Sequence, residues 1–586
     1  MKLSLCILFI LSGLLLVPLL PIGASETFGT NSILYQIVFC LHLIFFCTCI
    51  YLSILEIYRT ICTLGKIKLL ILPIICIIFC FIISLDLLPV SAGDALIHHL
   101  VVPKWWLKAG KIYYIDFHSW SNYPMLINLA FTGIMQFAPA EFCALYHAAY
   151  LIILAALISE FLRNKNEHPY LAPIAVIMII GLPIFIRLAA TPLVDLGLAA
   201  YSFLCLKLVF EDNQKTINYF LAGISLGLAL SIKYNAILVG FVCTLLLIAF
   251  MNYRNGQNLK HAAKILALFC FGALIVYLPW MIKNYLWTNN PIYPLFNSYF
   301  STKSPPSLGG LNPIEHRRLI YQESWFDFLL LPFRMIFNGQ DFKGKYFDGV
   351  LHPILILGFI GLFKSWKKRW VRGFSIFAVF YFLLATTLAL PRTRYLAPML
   401  PIWICLSSLG FIHLLTITNI KLQKKVFTIF FSVYLFFTAI YLKEISERSL
   451  LIPYLNHKIS KLDYLKITVP DYELINWVNN QLPETSKIYL LNTANRFYYF
   501  DRNVISSGHD SSAGIVNLLR EKPSASSVAS ELKAEGVTHI MANMPRTIDI
   551  MEAELVGENR NKWNEFQQKY LKPLVQSGST ALWELK

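Results

Sequence analysis

The chain has 586 residues, of which 57% are hydrophobic and only 14% are charged, and its formal net charge is +17. Soluble globular proteins carry about 25% charged residues, so this deficit excludes an ordinary soluble domain and indicates lipid as the solvent. The basic residues stand in short runs between apolar segments, which is typical of cytoplasmic loops and argues against nucleic-acid binding.

The apolar segments predict a polytopic α-helical membrane protein with about 13 spans, each needing roughly 20 residues. The first segment follows Lys2 and alternatively reads as a signal peptide, but its apolar core is longer than the usual range of about 7–15 residues. A retained span is therefore favoured, and either reading places Ser25 outside. The predicted spans are 3–21, 32–57, 69–90, 142–162, 171–188, 193–210, 216–232, 235–251, 265–282, 350–364, 372–390, 396–415 and 426–442.

The apolar segment 122–138 decides the predicted topology. If it lies along the membrane surface, the basic clusters after it fall in the cytoplasm, as the positive-inside bias requires. If it crosses, all of these clusters move outside. We therefore predict that 122–138 is a surface-lying helix packed on the bundle and that the N-terminus is cytoplasmic.

Composition divides the chain into three predicted parts. Residues 1–68 hold two N-terminal spans, and 69–442 form the transmembrane core with outer loops 91–141 and 283–349. Residues 443–586 change to alternating apolar and polar positions, which predicts an extracytoplasmic α/β domain.

This last part has several predicted elements but no Gly-rich phosphate loop, so no nucleotide site is indicated. Its predicted strands are Lys487–Asn492, Val537–Ala542 and Ala581–Leu585, and its predicted helices are Ser526–Ala534 and Glu552–Leu574. In the core, the Pro- and Gly-rich stretch Lys303–Gly310 predicts a mobile loop.

An acidic residue, Asp94, stands just after the third predicted span. A carboxylate at the membrane boundary is costly unless it has a partner or a function. The preceding Gly93 allows the backbone to approach a ligand closely. Alternatively, Asp94 simply caps a helix that begins at Ala95.

Further polar residues are predicted at the same membrane face. Cations at a lipid boundary can hold a phosphate, and a nearby carboxylate can take a proton from an attacking hydroxyl. That mixture suits the transfer of a sugar from a lipid phosphate, although each single cation could instead snorkel to phospholipid headgroups. The candidates are Asp195, the cations Lys104, Arg187, Lys233 and Arg394, and the neighbouring Tyr234 and Tyr395.

His98 and His99 are further candidates in the first outer loop. On a helix, adjacent residues point about 100° apart, so the two imidazoles are not expected to share one metal ion. An Asp-x-Asp metal signature is absent beside Asp94. A divalent metal is therefore not indicated, although the sequence leaves room for one, and no other cofactor is predicted.

Motifs along residues 69–415 carry a family resemblance through their order and spacing. They are Gly93-Asp94, His98-His99, Pro103-Lys104, Gly110-Lys111-Ile112, Asn122-Tyr123-Pro124, Val194-Asp195-Leu196, Ile232-Lys233-Tyr234, Lys283-Asn284-Tyr285, Asn289–Leu295 and Arg394-Tyr395. In this order they resemble GT-C glycosyltransferases, in the bacterial branch related to protein O-mannosyltransferases and the aminoarabinose transferase of lipid A.

The resemblance implies a GT-C-like transmembrane core and a hexosyl or pentosyl transferase. Such an enzyme moves a sugar from a polyprenyl-phosphate donor, with inversion, to an envelope glycan, lipid or protein. The implied location is a bacterial inner membrane, with the C-terminal domain periplasmic or extracellular. Loop 283–349 would close as a lid over the donor.

The resemblance also implies roles for individual residues. Asp94 would be the base or orient the acceptor, and Asp195 would be a second acid near the site. Lys233 and Arg394 would lie near the donor phosphate. Protein O-mannosyltransferases carry a paired Asp-Glu where this chain has Asp94-Ala95, which weakens the case for a protein hydroxyl as acceptor.

Three other classes of protein fit parts of the pattern. A flippase or transporter for lipid-linked glycans predicts ionisable residues at mid-bilayer, whereas the predicted spans are nearly free of charge there. A glycan polymerase or ligase that uses a lipid-diphosphate-linked oligosaccharide has a similar topology and is poorly separated by sequence. A non-catalytic envelope scaffold predicts that Asp94 tolerates substitution.

Overall fold

The computed structural model describes residues 2–20, 29–212, 215–253, 259–300, 312–417, 420–506 and 513–586. Ser25 and the predicted loop Lys303–Gly310 lie outside the described residues. All structural statements below concern the described part of the chain.

Helices form the chain up to the C-terminal domain. The first half contains α1 (Lys2–Leu14), α2 (Ile33–Cys62), α3 (Lys68–Asp86), α4 (Val101–Ala109), α5 (Leu126–Phe137), α6 (Phe142–Lys165), α7 (Leu171–Ile180), α8 (Pro183–Ala189), α9 (Asp195–Val209), α10 (Thr216–Leu230), α11 (Ala236–Tyr253) and α12 (Leu259–Thr288). The second half contains α13 (Asn297–Phe300), α14 (Pro313–Ile320), α15 (Trp325–Leu329), α16 (Leu331–Phe337), α17 (Leu357–Lys364), α18 (Arg369–Thr387), α19 (Leu400–Thr416) and α20 (Ile420–Arg448).

Six helices within the described residues are long and apolar enough to cross a membrane. Helices α7 and α8 together also reach that length, with a bend of 58° between them. The six are Ile33–Cys62, Gly65–Asp86, Phe142–Lys165, Lys260–Thr288, Arg369–Thr387 and Lys425–Arg448, and six shorter apolar helices accompany them. The chain is an integral membrane protein, while the number of about 13 spans stays a prediction.

The helices differ in how much of their surface the protein covers. The central α6 is 83% buried over its span, whereas the outer α3 is 22% buried and still strongly apolar. Large aliphatic side chains such as Ile33 and Leu69 are 75% and 73% exposed on the outer helices. An exposed apolar belt of this kind is a surface made for lipid.

Helix α5, within the predicted surface segment 122–138, has 12 residues. At a rise of about 1.5 Å per residue it is roughly 18 Å long, shorter than a hydrocarbon core of about 30 Å. Residues Leu126–Gly133 are buried against the bundle. Its length fits the predicted helix that packs on the bundle without crossing.

Close helix packing depends on small residues at two places. A Cβ added to Gly361 of α17 would lie 1.9 Å from the carbonyl oxygen of Leu406, and one added to Gly410 of α19 would lie 2.0 Å from that of Leu357. The two helices therefore touch backbone to backbone, as small residues allow in membrane bundles.

The C-terminal domain alternates helices and strands. It contains α21 (Leu451–Leu455), α22 (Lys461–Thr468), α23 (Tyr472–Gln481), β1 (Lys487–Leu491), β2 (Asn503–Ile505), α24 (Ala513–Glu521), α25 (Ala525–Ala534), β3 (His539–Asn543), α26 (Met544–Glu554), α27 (Glu558–Tyr570), β4 (Leu571–Ser577) and β5 (Thr580–Leu585). The strands form a mixed sheet in the order β2-β1-β3-β5-β4. Strand β1 pairs in parallel with β2 and β3, and β5 pairs antiparallel with β3 and β4.

The predicted strands at 487–492, 537–542 and 581–585 are confirmed as β1, β3 and β5, and helix 526–534 is confirmed as α25. The predicted helix Glu552–Leu574 is wrong in its extent. Gly557 has a φ of +55° and separates α26 from α27, and the chain becomes strand β4 at Leu571.

The C-terminal domain contacts one end of the bundle, which we call the domain side. The backbone N–H of Tyr498 donates to the carbonyl of Leu96 at 3.2 Å, and the Tyr499 hydroxyl donates to the carbonyl of Val90 at 2.7 Å. Both bundle carbonyls belong to the loop between α3 and α4. The domain therefore holds the loop that carries Asp94.

Candidate active site

A cavity of about 210 Å³ opens among the helix ends on the domain side. The first loop, the α5 entry, the α10–α11 turn and the segment before α19 all reach it. Its lining includes His98, His99, Trp120, Tyr123, Asn128, Lys233, Tyr234 and Tyr395. Five predicted site residues, His98, His99, Lys233, Tyr234 and Tyr395, thus share one cavity.

Asp94 forms an ion pair beside this cavity. An Arg394 guanidinium nitrogen donates to a carboxylate oxygen of Asp94 at 2.5 Å, joining residues 300 positions apart in sequence. The Arg394 side chain is 10% exposed and that of Asp94 is 33% exposed. Asp94 precedes the π-helical turn Ala95–His99, but its side chain makes no cap hydrogen bond. Its observed partner is a cation instead.

The electrostatic surroundings keep Asp94 ionised. Burial alone would raise the pKa of its carboxyl, but the charge of Arg394 outweighs that effect, with smaller contributions from His98, His99 and Lys233. The pKa of Asp94 therefore lies well below its usual range.

A second acid–base pair lies next to the first. Lys233, in the turn between α10 and α11, donates from Nζ to Asp195 Oδ1 at 2.8 Å. Asp195 begins α9, where the helix dipole favours a negative charge. The nearby His147 Nε2 accepts from the backbone N–H of Leu196 at 3.0 Å, which fixes this helix start.

Tyr395 connects the two pairs. Its ring centroid lies 5.5 Å from Lys233 Nζ and 5.4 Å from Arg394 Cζ. Both cations are thus within cation–π distance of one aromatic ring, and Tyr395 itself lines the cavity.

The two histidines line the cavity side by side. They belong to a π-helical turn, and their ring centroids are 4.0 Å apart. His98 stacks on Trp120 at 5.1 Å, and the Asn128 amide donates to the carbonyl of His99 at 2.8 Å. Burial lowers the pKa of His99 to about 3 and that of His98 well below its usual value, so both rings are neutral at physiological pH.

No protein-family model matches the sequence, and no curated protein is similar to it in sequence. Solved structures nevertheless share its architecture. The crystal structure of ArnT from Cupriavidus metallidurans bound to undecaprenyl phosphate aligns with a TM-score of 0.51 and 13% identity, covering 88% of this chain and 97% of that one. The same protein in the apo state gives a TM-score of 0.55 with the same identity and coverage.

This chain shares the overall fold of ArnT. The archaeal oligosaccharyltransferase AglB from Archaeoglobus fulgidus, in complex with an inhibitory peptide and a dolichol-phosphate, also aligns, with a TM-score of 0.45 and 11% identity over 80% of this chain and 69% of that chain. That similarity is too low to bear on the site.

Lys104 is placed against the C-terminal domain. Its Nζ donates to the carbonyls of Tyr498 at 2.8 Å and Phe500 at 3.0 Å and lies 3.5 Å from Asp501. It is not among the residues that line the 210 Å³ cavity. Lys104 thus pairs with the C-terminal domain, whereas Lys233 and Arg394 pair with the acids Asp195 and Asp94.

Arg187 is also engaged elsewhere. Its guanidinium contacts Asp341 and Asp348 at 2.8 Å each and lies over the ring of Phe342 at 4.5 Å. These partners belong to the end of the predicted lid loop 283–349. Arg187 therefore ties that segment to the bundle.

Trp120 and Asn128 line the cavity but were not predicted from sequence. Asn128 has a recognisable signal, since it is a polar residue inside the apolar segment 122–138. Lys283 is another polar residue in a largely apolar segment. It is buried between the rings of Trp280 and Trp287, with its Nζ 3.4 Å from the carbonyl of Ser121 in the first loop.

Among the described residues, no group of three or more His, Cys, Asp or Glu side chains could hold a metal ion. The two acids beside the cavity, Asp94 and Asp195, are instead paired with Arg394 and Lys233. This donor set fits an anionic ligand that competes for Lys233 and Arg394.

Proposed function

We propose that this chain is a membrane glycosyltransferase that moves a sugar from a polyprenyl-phosphate donor to an envelope acceptor, with inversion. In this proposal the domain side faces away from the cytoplasm, in a bacterial inner membrane. The observation that carries the proposal is the proximity of the pairs Asp94–Arg394 and Asp195–Lys233 to Tyr395, which lines the cavity together with Lys233. The similarity to ArnT bound to undecaprenyl phosphate supports the choice of donor.

The cations Lys233 and Arg394 suit the donor phosphate. Phosphate oxygens accept charge-assisted hydrogen bonds from lysine and from arginine side chains. Arginine can bind a phosphate in bidentate geometry. As the bond between the anomeric carbon and the phosphate oxygen breaks, these cations neutralise the charge that develops on the leaving polyprenyl phosphate.

Asp94 suits the acceptor. The acceptor hydroxyl oxygen attacks the anomeric carbon opposite the phosphate, and its proton passes to the Asp94 carboxylate, so a single displacement inverts the configuration. Before the donor binds, Arg394 keeps the pKa of Asp94 too low for an efficient base. A bound phosphate weakens that influence of Arg394, so the pKa of Asp94 rises when a base is needed.

The first prediction concerns Asp94→Asn. This nearly isosteric change removes the proton acceptor, so we expect transfer to fall by about 100-fold or more, with unchanged abundance in the membrane. The measurement is mass spectrometry of lipids, glycans and proteins from cells lacking the gene, complemented with each variant. Cells without activity should accumulate a polyprenyl-phosphate sugar and lose the sugar from one acceptor.

Asp549→Asn provides the matched control, because Asp549 is exposed on α26 of the C-terminal domain. It should restore the acceptor sugar as fully as the wild-type chain does. Restoration by Asp94→Asn would remove Asp94 from the mechanism. A donor that accumulates on the cytoplasmic leaflet alone would instead indicate a flippase.

A further inference from the structure

A second, larger cavity of about 1110 Å³ lies between the bundle and the C-terminal domain. One wall is α4 and the loop after it, and the other is formed by β1, β2 and α24. We call it the domain cleft. We propose that the domain cleft binds the acceptor as a neutral glycan of several sugar units, a proposal that rests on the proposed function.

The cleft offers the two kinds of surface that a sugar needs. The bundle wall presents the partly exposed rings of Trp105, Tyr113 and Phe117. Flat aromatic faces pack against the C–H face of a pyranose ring because both are apolar and planar enough to stack. The domain wall presents Asn503 and Asn517, whose amides can both donate to and accept from hydroxyl groups.

These amides are available for a ligand. Asn503 is exposed on the edge strand β2, and Asn517 is half-buried on α24. Neither side chain hydrogen-bonds to another described residue. A cleft that combines apolar rings with a few unengaged polar groups has the ordinary composition of a small-molecule site.

The charge of the lining favours a neutral ligand. Lys104 and Arg502 are already committed to backbone carbonyls of the C-terminal domain, at 2.6–3.0 Å. Among the described residues, the cleft lining therefore has no surplus of free cations for a polyanion. Its four basic residues are balanced by four acids, and the eight are Lys104, Lys108, Lys487, Arg502, Asp116, Asp501, Glu521 and Glu535.

The size and position of the cleft fit an oligosaccharide that reaches the candidate active site. Pockets for drug-sized ligands measure roughly 300–1,000 Å³, so this cleft has room for more than one sugar unit. Lys104 in the cleft stands six residues after His98 in the cavity, a separation of about 9 Å along a helix. A short glycan could thus lie in the cleft with its terminal hydroxyl directed at Asp94.

An extended peptide is a weaker fit for the same cleft. Peptides commonly add a strand to an exposed sheet edge, and β2 is an edge strand. However, β2 has three residues, which gives a pairing edge of only about 10 Å. This edge is too short to hold a peptide by backbone pairing.

The test uses the purified full chain and saturation-transfer NMR with three probes: short neutral hexose oligosaccharides, matched uronic-acid oligosaccharides, and an extended serine-rich peptide. We expect at least one neutral oligosaccharide to bind, and the double variant Asn503→Ala/Asn517→Ala to weaken that binding by about tenfold. Asn561→Ala, an exposed position on α27, should leave binding unchanged. Binding of the acidic probe or the peptide alone, or equal binding by the double variant, would overturn the proposal.

Asp94→Asn separates this proposal from the proposed function. If both proposals hold, Asp94→Asn binds the oligosaccharide normally but transfers no sugar. The double variant Asn503→Ala/Asn517→Ala should instead keep the kcat for transfer from the donor and raise the KM for the glycan. Normal transfer by Asp94→Asn with normal glycan binding would contradict the catalytic role alone. Loss of glycan binding in Asp94→Asn would contradict the proposal that the glycan binds in the domain cleft, separately from Asp94.

Discussion

Arg394 and Lys233 each hold a carboxylate in the ligand-free chain, so their charges are already compensated. Compensation lowers the cost of keeping the buried Arg394 and the partly buried Lys233 at a lipid boundary, where an unpaired charge is expensive. It also means that a donor phosphate must compete with a carboxylate for each of these cations. Binding would exchange Asp94 for phosphate on Arg394, which couples donor occupancy to the release of the acid.

The pH dependence of transfer tests this coupling. Arg394 lowers the pKa of Asp94, so replacing it with Gln should raise that pKa and move the acidic limb of the kcat/KM profile to higher pH. Burial lowers the pKa of His99 to about 3 and lowers that of His98 well below its usual value. Neither histidine should therefore contribute a limb near neutral pH. The measurement is the pH profile of sugar transfer by the purified chain.

Arg394→Lys is the matched control, because it keeps a cation at the same position and should keep the acidic limb near its original pH. The ion pair between Asp94 and Arg394 also sets how folding stability depends on pH. Since the pKa of folded Asp94 lies below the unfolded value of about 3.9, the pair stabilises the fold above that pH and loses its effect as pH falls through the folded pKa. An unshifted limb in Arg394→Gln would contradict the assignment of that limb to Asp94.

At the residue level, the sequence predicted which charged residues lie on the same membrane face but not which of them form pairs. Span ends place Asp94, Asp195, Lys233 and Arg394 on one face, and the structure joins them in two neighbouring ion pairs beside the cavity that Lys233 lines. Lys104 had the same topological signal, yet it found carbonyl partners in the C-terminal domain. Pairings across 300 positions depend on tertiary geometry that local sequence does not carry.

At the level of elements, α4 links the first loop to the C-terminal domain. Lys104 on α4 bonds the carbonyls of Tyr498 and Phe500, while the N–H of Tyr498 bonds Leu96 in the turn just after Asp94. We expect Lys104 to be a positioning residue for that turn. Lys104→Met should speed hydrogen exchange in segment 497–501 and lower kcat for transfer more than it changes the donor KM.

Two variants control this prediction. Lys111→Met changes an exposed lysine just after α4 and should leave both readouts unchanged. Lys104→Arg can still donate to the carbonyls and should restore most of the exchange protection and of kcat. Wild-type exchange in Lys104→Met would show that the domain is held by its other contacts.

Secondary structure was predictable where one pattern persisted along an element. The strands at β1, β3 and β5 are short apolar runs bounded by polar residues, and they were found where the sequence placed them. The helix predicted at Glu552–Leu574 failed because its apolar spacing hides a break at Gly557, whose φ is +55°, and a strand that begins at Leu571. Strand β2 has three residues, too few to show an alternating pattern.

On the scale of the whole molecule, Asp341 joins three separate parts of the chain. It accepts from Arg187 on α8 at 2.8 Å and from the Tyr441 hydroxyl on α20 at 2.8 Å, and it belongs to the segment between α16 and α17. Because α20 runs on to Arg448 and leads into the C-terminal domain, this contact connects the bent pair α7–α8, the predicted lid loop and the domain connection. A hydropathy profile identifies each of these segments but not the joint between them, the polar contacts that Asp341 makes with Arg187 and Tyr441.

Removing Arg187 should therefore destabilise the molecule as a whole. The Arg187 and Asp341 side chains are 13% and 6% exposed, so Arg187→Leu leaves a buried carboxylate without its cation and should lower the free energy of unfolding by about 3 kcal/mol. Tyr441→Phe deletes one hydrogen bond to the same carboxylate and should cost about 1 kcal/mol. Arg560→Leu breaks an exposed pair with Glu552 and should have little effect. Thermal unfolding of the three variants in the same detergent gives the order, and equal Tm values for Arg187→Leu and Arg560→Leu would contradict a structural role for the joint at Asp341.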